Sequence, residues 1–240
     1  MRTRSKLGLL LVALVATGLV AVDAYVWAVE VGAVLVAVLA VDALDGRRAG
    51  GWQVGPHRRA VHVLLWVYVA VMLVGATWTY GAAPPGLWMQ DAFGLARNPW
   101  DRIGHLFQGA LPALVVLGLR PVPTCAMGSA RAADAERTAG PAARSKGAPL
   151  HARTPAAAPA RGFGLALLPG LALALAAGLA VAGVFEGLEA AFAHLAPAGV
   201  DFIDAQGDAQ DRAWDLGFAG AGALLAVGVE LAARRSRTGV

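Results

Sequence analysis

A chain of 240 residues with 58% hydrophobic and 15% charged side chains and a mean hydropathy of +0.59 lies outside the range of an ordinary soluble domain. The formal charge of +4 does not point to nucleic acid, because the basic residues are distributed by side rather than gathered into one face. A lone cysteine, Cys125, excludes an internal disulfide and a thiolate metal cluster.

The expected fold is all-α, a polytopic membrane bundle of six transmembrane helices in contact with the lipid bilayer. A hydrocarbon layer of about 30 Å takes about 20 apolar residues in helix. Six stretches approach that length: 7–22, 25–43, 60–80, 103–119, 163–195 and 214–233. Each must be helical, since lipid offers backbone groups no hydrogen-bond partner. The first, behind MRTRSK, has the basic and apolar regions of a secretory signal. Its apolar run is slightly long for that, and a second follows at once, so a retained helical hairpin turning at Asp23 is expected.

Basic residues then set the orientation. Arg2, Arg4 and Lys6, Arg47, Arg48, Arg58 and Arg59, the segment after Arg120, and Arg234, Arg235 and Arg237 alternate with loops poor in them. By the positive-inside rule both termini of this multi-pass membrane protein are cytoplasmic. One membrane domain is expected, divided into helices 1 to 4 over 1–120, a linker over 121–161, and helices 5 and 6 with an acidic outer loop over 162–240. The linker is rich in Ala, Pro, Gly and Arg, lacks apolar periodicity and reads as a disordered basic cytoplasmic segment. Its charge suits anionic headgroups, while an insertion without a task is the plainer reading. No internal repeat, phosphate-cradling glycine loop or Gly-x-Ser-x-Gly elbow occurs. The AGAG of 219–222, with Gly217 and Gly228, reads as small residues for close helix packing.

Chemistry is concentrated at the extracytoplasmic ends. NPWDRIGHLFQG (98–109) opens a helix with Asn98 as N-cap, Pro99 in the first position and Asp101 favoured near the helix N-terminus. Trp100 suits the interfacial belt, and Arg102 can extend its head group to water. His105 and Gln108 follow Asp101 at i+4 and i+7 and continue its face into the apolar layer, where they require a neighbouring helix or a water-filled cavity. FEGLE (185–189) puts Glu186 and Glu189 on one face at i,i+3, where they repel unless a proton or cation lies between them. In the following loop and helix, Asp208, Asp211 and Asp215 share a face if the helix begins near Gly207.

Three helices are thus expected to bring acids and one imidazole to one outer depth. Asp101, His105, Glu186, Glu189 and Asp215 are the candidate catalytic residues. His105, Glu186, Glu189, Asp208 and Asp211 are the candidate ligands of a divalent cation such as Zn²⁺, Mn²⁺, Mg²⁺ or Ca²⁺, in a spacing that matches no standard zinc motif.

VMLVGATWTYGAAPPGLW, FGLARNPWDRIGHLFQG, FEGLE and QGDAQDRAWD, in that order, resemble the YjdF-type family of bacterial inner-membrane proteins, a family without assigned function. The resemblance covers roughly 23–108 and 163–230. It implies that Asp101, Arg102, His105, Gln108, Glu186, Glu189, Gln206, Gly207, Asp208, Asp211, Trp214 and Asp215 are characteristic polar positions. Thr77 stands where the family tends to have a histidine, and the linker after Arg120 is long. The Asp-basic-x-x-His before a membrane helix, the later acidic pair and the aspartates ahead of a glycine-rich helix are also similar to VanZ-like proteins, which by analogy favours work on envelope components.

Three functions are expected to compete: a membrane-embedded enzyme, with or without a metal, on an envelope or lipid-linked substrate, a cation- or proton-coupled transporter, and a non-catalytic assembly protein. No nucleophile with a dedicated base is evident. No nucleic-acid partner is expected.

Overall fold

The computed structural model describes residues 3–46, 56–119, 161–196 and 210–238. Among them are seven helices and no strand: α1 (Thr3–Val20), α2 (Ala24–Gly46), α3 (Pro56–Trp78), α4 (Pro84–Phe93), α5 (Trp100–Leu119), α6 (Arg161–Leu195) and α7 (Asp211–Thr238). Five helices are long and apolar enough to cross a membrane: Ala24–Asp45, Arg58–Trp78, Trp100–Leu119, Leu168–Leu195 and Asp211–Ala233. The sixth expected span is shorter than anticipated. The apolar part of α1 is Leu7–Val20, about 21 Å at a rise of 1.5 Å per residue. Apart from Arg161 at the start of α6, the linker expected over 121–161 lies outside the described residues.

Local chemistry sets the helix starts. Asp23 Oδ1 accepts the backbone N–H groups of Tyr25 at 2.8 Å and Val26 at 3.0 Å, which caps α2 and turns the chain back from α1. Asn98 does the same for α5, with Oδ1 accepting from Trp100 N at 2.9 Å. Its amide also donates to the carbonyls of Gly81 and Ala83, so the cap fastens α5 to the approach of α4. The stretch between α3 and α5, outside the six expected spans, contains α4. Prolines occupy its first turn, and Gly94, at φ +62°, ends it in the left-handed conformation that glycine adopts without strain.

Helix α5 sits at the centre and packs on α3, α6 and α7, while α2 packs on α3. One apolar core joins Val31, Val34 and Val38 of α2 to Val61, Leu65 and Met72 of α3 and Leu111 of α5. A second joins Ala113 and Leu117 of α5 to Ala174 of α6 and Ala223 and Val227 of α7. The indole of Trp100 donates to the Val71 carbonyl at 3.0 Å, binding α5 to α3.

Cross-links gather several chain ends at one end of the bundle. Val22 N donates to the Thr77 carbonyl at 2.9 Å, Tyr25 Oη to the Phe192 carbonyl at 2.9 Å, and Arg97 pairs with Asp211 at 2.7 Å. The end of α3, the start of α5, the end of α6 and the start of α7 therefore meet. Their acids and imidazole meet with them.

Candidate functional site

His105 stands one turn inside α5, is 1% exposed, and is the hub of the site. Its Nε2 lies 3.3 Å from Glu186 Oε1 on α6 and 3.6 Å from Asp101 Oδ1 on its own helix. The i+4 spacing read from sequence produces the second contact, and the antiparallel course of α6 produces the first. Two triads share this ring. In one, ligand atoms of Asp101, His105 and Asp215 all lie within 4.8 Å of one another, and in the other those of His105, Glu186 and Glu189 do. Four carboxylates from three helices thus surround one imidazole.

Hydrogen bonding within the site is incomplete. His105 Nδ1, Gln108 Oε1 and Asp215 Oδ1 are buried without a well-aligned hydrogen-bond partner. Buried polar atoms are ordinarily satisfied, so atoms left open on converging side chains mark a place where a further group fits. The two triads contain no Lys or Arg. Close carboxylates in an apolar layer require a cation or protons between them.

Arg102 and Arg97 have partners outside the triads. Arg102 does not simply extend to water: its guanidinium lies over the rings of Trp214 at 5.3 Å and Phe218 at 5.8 Å, which stacks α5 on α7. Arg97 holds Asp211, and Asp211 belongs to neither triad, unlike Asp215 one turn further along α7. Asp208, expected as a ligand, lies outside the described residues. Asp101, His105, Glu186, Glu189 and Asp215 are accordingly brought together, and Asp211 is used to fasten the loop before α5 to α7.

Below His105 the bundle is closed by small residues. A side-chain carbon on Gly109, one turn deeper, would strike the Ala219 carbonyl of α7. One on Gly222 would strike the Leu106 carbonyl of α5, and one on Gly178 of α6 would lie 2.6 Å from the Gly109 carbonyl oxygen. Three backbones therefore touch beneath the site. Of the glycines noted in α7, Gly222 makes this contact, while Gly217 and Gly228 have nothing within 4 Å of an added carbon.

Two further polar residues border the site. Glu30, 3% exposed on α2, accepts a hydrogen bond from Tyr80 Oη at 3.0 Å. The chain reverses after α3 through left-handed backbone at Thr79 and Tyr80, which folds the Tyr80 ring onto Gly75, where no larger residue fits. Burial and the neighbouring Glu30 carboxylate hold the Tyr80 hydroxyl well above the usual tyrosine range, so it remains a donor. The readable signal for Glu30 is a lone acid in the apolar run VWAVEVGAVL. Thr77, at the position where a histidine is expected, is fully buried, and its hydroxyl donates to the Leu73 carbonyl at 2.6 Å.

Residues 3–121 match the family model described as "Predicted membrane protein (DUF2238)". The inner membrane protein YjdF of Escherichia coli (strain K12) is 35% identical over 102 residues, which are 42% of this chain and 46% of that protein. Over residues 3–121 the chain is similar to this YjdF-type family. The match spans about half the length of that relative. The family-model match over 3–121 includes α1 to α5, with Asp101, His105 and Gln108, whereas Glu186, Glu189 and Asp215 lie beyond residue 121. No solved structure matches the chain. With five helices among the described residues able to span a bilayer and an inner-membrane relative, the chain is a multi-pass inner-membrane protein in contact with lipid.

Proposed function

We propose that the protein is a membrane-embedded enzyme whose cluster of Asp101, His105, Glu186, Glu189 and Asp215 faces the extracytoplasmic side, binds a divalent cation and acts on an envelope or lipid-linked substrate. The observation that carries this reading is the convergence of two acidic triads on one buried imidazole with open hydrogen-bonding atoms. An imidazole nitrogen among carboxylates suits Zn²⁺ or Mn²⁺ better than Mg²⁺ or Ca²⁺, which prefer all-oxygen shells. A cation held there would lower the pKa of a bound water and polarise a phosphoryl or carbonyl oxygen. A carboxylate left outside the metal's shell would be placed to take up a proton. The backbone contacts at Gly109, Gly178 and Gly222 favour a reaction site over a transport passage, since they leave no room for a polar path between α5, α6 and α7.

Metal analysis of the full chain, purified in detergent, tests the cation. One equivalent of zinc or manganese is expected after loading and dialysis, together with a higher melting temperature. His105→Ala should lose both while retaining a cooperative melt. If wild-type protein neither retains nor is stabilised by any divalent ion, the metal reading fails. Turnover of lipid-linked phosphates or esters, abolished by chelation and restored by the retained metal, then tests the enzyme itself.

A further inference from the structure

Helix α4 has ten residues and reaches about 15 Å, too short to cross a bilayer. At 100° per residue, Trp88, Ala92, Pro85, Met89 and Phe93 fall within an arc of about 140°, and Gln90 and Asp91 lie off it. Trp88 is 67% exposed and Phe93 66%, while Pro85 and Ala92 are also exposed and Met89 is half-buried. The two large rings meet edge to face at 6.4 Å, forming a single apolar surface. Next to this arc, Gly86 packs so closely on Asn98 and Trp100 that a side chain there would collide with both. One side of α4 is therefore fixed to the start of α5, and its aromatic side is left uncovered.

The position of the helix identifies the occupant. It is strung between Trp78, where one membrane-spanning helix ends, and Trp100, where the next begins. Both of its ends are consequently at a bilayer margin, the depth at which tryptophan rings with apolar neighbours partition best. We propose that α4 is an interfacial anchor whose Trp88 to Phe93 arc inserts among the lipids of the leaflet at the His105 end of the bundle. Through Asn98, which bonds both the approach to α4 and the first turn of α5, this anchor sets the depth of Asp101 and His105 relative to the headgroups. The inference stands on α4 itself and does not require the cluster to be catalytic.

The test uses the full chain with Cys125→Ser, carrying a nitroxide at Trp88→Cys, Phe93→Cys or Asp91→Cys, in liposomes of phosphatidylethanolamine and phosphatidylglycerol. Power saturation with oxygen, which concentrates in lipid, and with a water-soluble nickel chelate should give a several-fold higher oxygen-to-nickel ratio at positions 88 and 93 than at 91. Equal nickel access at all three would place the arc in water and overturn the proposal. Exclusion of both reagents from 88 and 93 would overturn it too, by showing that a second copy or another segment covers the face. A readout with no introduced cysteine guards against local damage: in brominated lipid, Trp88→Phe should lower the quenchable fraction of tryptophan fluorescence, and an unchanged fraction counts against insertion.

Discussion

Replacing Gly109 with alanine should loosen the bundle directly beneath His105. The added methyl would meet the Ala219 carbonyl oxygen, with the carbonyl carbon at 2.5 Å and the Ala219 Cα at 2.8 Å. Backbone cannot rotate aside as a side chain does, so α5 must draw away from α7. Gly178 is pressed on the carbonyl of the same Gly109, and α6 is disturbed as well. Overpacking of this kind costs about 1–3 kcal/mol, and steric contact with backbone on two sides puts Gly109 toward the upper part of that range. Better helix propensity returns up to about 1 kcal/mol for Gly→Ala, leaving a net loss of roughly 1–2 kcal/mol. In a chain of this size each kcal/mol moves the melting temperature by about 2–4 °C, so a fall of roughly 2–8 °C is expected.

Gly217 supplies the control within α7, since an added carbon there finds open space. Gly217→Ala should leave the melting temperature unchanged or raise it slightly. Both variants would be followed by thermal unfolding of the full chain in one detergent, with divalent-ion affinity as a second readout because Gly109 lies one turn from His105. Equal stability of Gly109→Ala and Gly217→Ala would refute the claim that backbone contact closes the site.

Three further outcomes follow from the geometry. Tyr80→Phe removes the hydroxyl that serves Glu30, so stability should fall by about 1–3 kcal/mol, measured by denaturation, while Tyr25→Phe, at the α2–α6 link, should leave Glu30 undisturbed. Asp215→Asn relieves repulsion among close carboxylates, so the metal-free protein should melt higher while its affinity for Zn²⁺ or Mn²⁺ falls, and a variant that gains neither change would remove Asp215 from the site. Reporter fusions after Val240 and within residues 121–161 should both give cytoplasmic signals, and an extracytoplasmic signal from either would reverse the side of the cluster.

The helices and the cluster were legible in the sequence for different reasons. Apolar length reveals a span because lipid leaves the backbone no other fold, and five of the six expected spans coincide with long apolar helices. Periodicity along one helix reveals a shared face, which is why Asp101 with His105 and Glu186 with Glu189 could be paired from spacing alone. Contacts across the bundle depend on helix rotation and depth, which the apolar pattern scarcely constrains when lipid surrounds every helix. That is why Glu30 and Tyr80, 50 residues apart, are not pairable from spacing. It is also why Asp211 and Asp215, with the same residue type on the same helix, have different tasks: one turn of helix directs the first to Arg97 and the second to His105. Helix α4 is short enough that Pro84, Pro85 and Gly94 at its limits resemble loop punctuation as much as helix boundaries.

The division of labour along α5 explains how so acidic a cluster is tolerated near apolar surroundings. Converging carboxylates push α5, α6 and α7 apart at the end where His105 lies, and nothing within the two triads opposes that force without an added cation or protons. Opposition comes from outside the triads: Arg97 binds Asp211, Arg102 stacks on Trp214 and Phe218, and Tyr25 holds the end of α6. One turn below, glycines allow dispersion contacts between backbones, the main attraction available to helices whose other faces meet lipid as apolar as themselves. The cluster is thus strained at its outer end by charge and closed at its base by shape. A cation entering it would relieve the repulsion without moving the base, so occupancy should stiffen the α5, α6 and α7 ends more than the remainder of the bundle. Hydrogen exchange with and without bound metal would resolve that difference: protection gained chiefly around 98–106, 185–195 and 211–218 supports it, and uniform protection of every helix contradicts it.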